Sequence, residues 1–160
     1  MAVTIRGSGQ VPVQIVQTEK TDTFSTSSTS YVDITGLSVT ITPSNSLNRI
    51  LIFASINGTG GDNGSAVLLR NSTQIAIGTA SGSRVVGTFA DFFQNNSSNS
   101  QKTMAKIFLD SPLTTSAVTY KIQYRCGGSS FNLNSGFGDT DSAFNTRTSS
   151  IITVMEIAYA

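Results

Sequence analysis

Tyr31-Val-Asp-Ile-Thr-Gly-Leu-Ser-Val-Thr-Ile-Thr42 alternates apolar and polar residues on either side of Gly36, with Val32 and Ile34 on one phase and Leu37, Val39 and Ile41 on the other. An alternation of period two is the pattern of a half-buried β-strand. The phase slips by one residue at Gly36, and a one-residue slip would send every later side chain to the opposite face. A bulge or turn at Gly36 is therefore expected, so that both halves address one core.

The same grammar recurs outward from this stretch. Strands are expected at Arg49–Ile56, Ala66–Arg70, Gln74–Ile77, Arg84–Phe93, Thr103–Leu109, Ala117–Arg125, Ser130–Asn134 and Ile151–Tyr159. Between them lie runs rich in Gly, Pro, Asn and Ser, including Pro43 to Ser46, Asn57 to Ser65, Asn95 to Ser100 and Asp110-Ser-Pro112. About ten short strands at near-regular spacing, with no helical block between them, predict an all-β fold, an antiparallel β-sandwich of jelly-roll type; a closed barrel is the nearest competitor. The expected organisation is one sandwich domain over residues 18–160, preceded by an N-terminal arm over residues 1–17 that carries Val11, Val13 and Ile15 around Pro12.

Four apolar stretches call for cover in a lone sandwich. Ile50-Leu-Ile-Phe-Ala54 is apolar on both phases, which calls for cover on both sides, in mid-sandwich or at a subunit interface. The arm from Val11 to Val16 and the C-terminal strand with Met155, Ile157 and Tyr159 are apolar as well, as is the Phe92–Phe93 pair. By contrast Val118, Tyr120, Ile122 and Tyr124 alternate with Thr119, Lys121, Gln123 and Arg125, the mark of a strand with one wet face. The arm, the Phe pair and the terminal strand predict a homo-oligomer, with a trimer as the expected count.

Composition bounds the function. Charged residues make up 12% of the 160 residues and the formal net charge is +1, so there is no basic field for nucleic acid or anionic lipid. Roughly a third of the chain is Ser, Thr or Asn, a surface polar through neutral groups and little affected by salt. No apolar run approaches the ~20 residues that span a bilayer, and no signal-like segment opens the sequence. The single Cys126 cannot close an intramolecular disulfide and reads as a structural thiol made in a reducing cytoplasm.

The chain has no His, which removes the usual base of nucleophile triads and the commonest metal ligand. Nine carboxylates remain. Asp139 and Asp141, in Gly138-Asp-Thr-Asp-Ser142, form the tightest pair and could serve a glycosidase or a weak Ca2+ site, but their Gly and Ser flanks read first as a turn. Asp62, in the Gly-rich stretch Asn57 to Ser65, is a second such place. Tyr31, Tyr120, Tyr124, Phe89 and Phe131 could offer faces to sugar rings, and in alternating strand positions they read as core. Arg84, Arg125 and Arg147 could bind acidic sugars or brace subunits. The reading assigns no catalytic, metal or cofactor residue and no enzymatic activity.

Several stretches carry a resemblance: Val16-Gln-Thr18, Lys20-Thr-Asp-Thr-Phe-Ser-Thr26, Tyr31 through Pro43, Ala80-Ser-Gly-Ser-Arg84, Phe108-Leu-Asp-Ser-Pro112 with Thr119-Tyr-Lys-Ile-Gln123, and Arg147-Thr-Ser-Ser-Ile151 to Glu156. From Gln10 onward the chain resembles a short fibre-type or virion surface module of tailed bacteriophages, of the kind found in phages of cyanobacteria and other aquatic bacteria. The resemblance implies an all-β, trimeric virion component without enzymatic activity, made in the host cytoplasm and displayed on the particle. In many relatives such a module ends a longer fibre, whereas here nine residues precede it. This favours a capsid decoration or cement protein attached to other virion proteins through its arm over a tail-fibre tip that binds host surface glycan.

Overall fold

A computed structural model describes residues 12–60, 63–90, 101–136 and 139–159. They form eleven strands: β1 (Gln14–Lys20), β2 (Phe24–Thr26), β3 (Val32–Ile41), β4 (Arg49–Gly60), β5 (Ser65–Arg70), β6 (Thr73–Ile75), β7 (Phe89–Ala90), β8 (Lys102–Asp110), β9 (Val118–Arg125), β10 (Phe131–Leu133) and β11 (Ser150–Ile157). No helix long and apolar enough to cross a membrane occurs among the described residues.

The strands make two antiparallel sheets. The first runs β1-β11-β4-β10-β2 with β8 on the other edge of β4, and the second runs β3-β9-β5-β6 with β7 also on β5. Ile50, Ile52, Ala54 and Ile56 of β4, with Ile152 and Val154 of β11, face Val39 and Ile41 of β3 and Val118, Tyr120, Ile122 and Tyr124 of β9 in one continuous core. The molecule is thus an all-β sandwich; this strand order does not establish a jelly-roll path, and two separate sheets replace the competing closed barrel.

Gly36 does what the phase slip demands. It takes φ +81°, a left-handed conformation that glycine adopts without a Cβ clash, and the β3–β9 register shifts between Asp33 and Ser38. Ile34 before the irregularity and Leu37, Val39 and Ile41 after it are all buried in the same core.

The expected boundary at Gln17 falls inside β1. Residues 14–20 pair in unbroken register with β11, from Gln14 opposite Glu156 to Lys20 opposite Ser150. Side chains tie β1 to the opposite sheet as well, Thr18 Oγ1 donating to Ser38 O at 2.7 Å and Gln14 Nε2 to Thr42 O at 2.7 Å. Residues 14–17 therefore belong to the sandwich, and residues 1–11 of the expected arm lie outside the described residues.

Two other expectations change. The stretch from Asn57 reads as a turn, yet β4 continues to Gly60 because β10 pairs with Gly58–Gly60. Between Arg84 and Ala90 only Phe89–Ala90 pairs as a strand. At Gly87 an added Cβ would lie 3.0 Å from Phe89 O and 3.3 Å from Ala66 O, so a side chain there would require β7 and β5 to give by a few tenths of an ångström.

Candidate functional site

The outward positions of the first sheet carry the feature least expected of a lone domain. Register places Ile15, Met155, Leu51 and Leu109 side by side across β1, β11, β4 and β8. The adjoining row is Gln17, Thr153, Phe53 and Ile107. Ile15 is 54% exposed and Ile107 64%, while Leu51, Phe53, Leu109 and Met155 are half-buried. The arm, the doubly apolar strand and the C-terminal strand, which look unrelated along the chain, are neighbours on this one face. The Phe92–Phe93 pair lies outside the described residues.

The opposite outer face is wet. Lys121 Nζ donates to Asp33 Oδ2 at 2.9 Å, Gln123 Nε2 to Asp33 Oδ1 at 2.8 Å, and the hydroxyls of Thr40 and Thr119 meet at 2.8 Å. The lysine partner holds the Asp33 carboxyl below the usual carboxylate range. The sandwich therefore presents one charged, hydrogen-bonded face and one apolar face.

Asp139 and Asp141 come together in the segment between β10 and β11. With Asn145 and Arg147 they line an open pocket of about 180 Å3. Asp139 sits at φ 47°, which fits its reading as a turn residue, and Arg147 Nη2 donates to its Oδ2 at 2.8 Å, with both side chains well exposed. Asn145 donates through Nδ2 to Thr140 O at 2.7 Å, and its Oδ1 is buried without a partner. No group of three or more His, Cys, Asp or Glu side chains able to hold a metal occurs among the described residues. Asp62 lies outside them.

The other candidates are structural. Tyr120, Tyr124, Phe89 and Phe131 are buried, and the Tyr31 hydroxyl is held by Ser65 Oγ at 2.8 Å and Val86 O at 2.9 Å. Arg84 bonds Ser81 within its own loop, and Arg125 Nε donates to Thr29 O at 3.0 Å. Cys126 is 1% exposed and points at Thr26 O.

Sequence reasoning missed two buried polar centres. Glu156, fully enclosed, accepts from Ser44 N at 2.7 Å, Ser44 Oγ at 2.8 Å and Asn48 Nδ2 at 2.6 Å on one oxygen, and from Gln14 Nε2 on the other. Burial pushes its carboxyl up, and these donors outweigh that and hold it at about 2. Asp110 accepts from Tyr120 Oη at 2.7 Å and from Arg70 Nη1 at 3.0 Å. Burial, and then that hydrogen bond, push the Tyr120 hydroxyl far up, so it stays a neutral donor. Both centres pin strands together inside the fold. The apolar phase Met155, Ile157 and Tyr159 reads as the inward one and so puts Glu156 outside; the structure reverses it, with Glu156 inward beside Ile152 and Val154 and Tyr159 exposed.

Neither a family model nor a curated protein matches this chain.

Proposed function

We propose that this chain is a non-enzymatic structural protein of a tailed-bacteriophage virion, a homo-oligomeric β-sandwich displayed on the particle surface as a capsid decoration or cement protein. The observation that carries the reading is the contrast between the two outer faces: an apolar sheet face suits burial against protein, and a charged, hydrogen-bonded one suits permanent contact with water. The phage setting, the count of three copies and the assignment of the N-terminal arm to attachment on other virion proteins come from the resemblance. A neutral, Ser/Thr/Asn-rich surface fits a particle exposed to varying salt.

Cryo-electron microscopy of purified particles tests this directly. Density for the sandwich on the head shell, at three-fold or quasi-three-fold positions, is the expected result. Particles without the chain would end the proposal.

A second reading, a tail-fibre tip or receptor-binding protein, draws on the pocket of Asp139, Asp141, Asn145 and Arg147, whose exposed carboxylates could meet sugar hydroxyls. Density at the tail and binding of purified protein to host cells would favour it. Failure to bind host cells or their surface polysaccharide at high concentration would dispose of it.

A further inference from the structure

We infer that the outer face of the β1-β11-β4-β8 sheet is buried against the same face of a second copy of this chain, in a two-fold pair. The inference rests on the self-association in the proposed function and replaces its three-fold count, which the geometry of this face does not require.

The size of the face is the first argument. Strands ~4.8 Å apart and same-face residues ~6.8 Å apart give these four strands a flat footprint of roughly 500 Å2. Its two central rows, Ile15-Met155-Leu51-Leu109 and Gln17-Thr153-Phe53-Ile107, are apolar at six of eight positions, and Ser55, Glu19 and Arg49 belong to a more polar rim. Two such footprints come to about 1,000 Å2, the level at which a specific interface begins. A pleated sheet face also has a natural partner in another sheet face, packed ~10 Å away with side chains interdigitated.

Charge selects a second copy over other occupants. Among the described residues its outward positions carry one cation and one anion at opposite ends, Arg49 at the start of β4 and Glu19 near the end of β1. Both are exposed, and neither forms an ion pair among the described residues. A face of balanced charge does not select an anionic lipid surface or a nucleic acid. It does match itself. On the strand lattice Arg49 and Glu19 are roughly 22 Å apart. The in-plane two-fold axis that exchanges them crosses β11 between Met155 and Thr153 and continues past Phe53 and Ile107. That one operation forms the Arg49–Glu19 contact twice and sets Phe53 and Ile107 against their own counterparts, the self-complementarity an isologous interface needs.

The test measures the mass of the full chain in solution by sedimentation and light scattering at tens of micromolar. Twice the 16.8 kDa of one chain is expected. Ile107→Lys places a charge on the axis at a position already exposed, so the fold should survive, as checked by circular dichroism, and the pair should fall apart. Arg49→Glu and Glu19→Arg, each alone, should weaken pairing about tenfold or more, and the double reversal should restore it. A monomeric or trimeric wild type, a dimer unaffected by Ile107→Lys, or a double reversal that fails to recover would each overturn the inference. A trimer would leave the virion reading intact, and a dimer absent from particles would sink that reading while leaving this one standing.

Discussion

The rings of Tyr124 and Phe131 lie face to face, 3.8 Å between centroids and 12° from parallel, joining β9 of one sheet to β10 of the other through the core. Gly58 is part of the same contact. A Cβ built on it would lie 2.5 Å from Asn132 O and 2.9 Å from Phe131 Cε2. Its place in an ordinary strand would normally make alanine an improvement, since glycine costs conformational entropy. Here the sign reverses, because the obstacle is backbone and a packed ring. Gly58→Ala is expected to lose about 1–3 kcal/mol by overpacking. Urea denaturation checks this, and a variant as stable as wild type would show that β10 can retreat.

Asn134 is a fully buried junction. Its Nδ2 donates to Lys20 O at 2.8 Å and Asp22 O at 2.9 Å, and its Oδ1 accepts from Ser150 Oγ at 2.7 Å, at φ 59°. Asn134→Gly keeps the left-handed backbone and removes the amide, so it isolates those hydrogen bonds at about 2–3 kcal/mol. Asn134→Ala should cost about 1 kcal/mol more, for the strained backbone. Equal losses in the two variants would assign the whole effect to the amide.

The difference between β3 and β4 shows where sequence reading stops. Gly36 was legible because its phase slip lies within one strand, and the bulge that repairs it is local. Asn57-Gly58-Thr59-Gly60 was not, because the same residues make turns, and what keeps them extended is β10, more than seventy positions away in sequence. Asn134 likewise ends an expected strand, Ser130–Asn134, and nothing local shows that Lys20, Asp22 and Ser150 gather around its amide. The apolar face was half legible: Ile50 to Ala54 showed that both sides of one strand want cover, while the register that lines Leu51 up with Ile15, Met155 and Leu109 is set by long-range pairing. Of the loop pair, the sequence brought Asp139 and Asp141 together and could not anticipate Arg147 as the partner of the first.

Glu156 gives stability a defined pH dependence. Its folded value of about 2 lies below the ordinary 4.5, so its contribution is complete above about pH 4.5 and is lost as the pH falls through 2. The gap corresponds to on the order of 3 kcal/mol. Glu156→Gln should lose a large part of this at pH 7, since an amide nitrogen would face donors already aimed at a carboxylate, and its stability should change less than that of wild type between pH 4.5 and 2. Denaturation series at pH 7, 4 and 2.5 would reveal it; parallel pH profiles for the two proteins would place the acid sensitivity elsewhere.

Cys126 offers a probe of how the sandwich opens. At 1% exposure, with Sγ 3.2 Å from Thr26 O and its own N–H bonded to Ser28 O at 2.7 Å, the thiol sits between the end of β9 and the β2–β3 connection. The thiolate is what attacks a labelling reagent, and an enclosed sulfur cannot be reached until the structure around it opens. Labelling by a thiol reagent at pH 8 should therefore be slow in native buffer and fast in urea. A native rate well above the one that global stability predicts would mean that β2 detaches alone, a local opening of the short edge strand held by only three residue pairs to β10. A rate that tracks global stability, rising in step with each increment of urea, would mean that β2 and β10 unfold only with the core they cover.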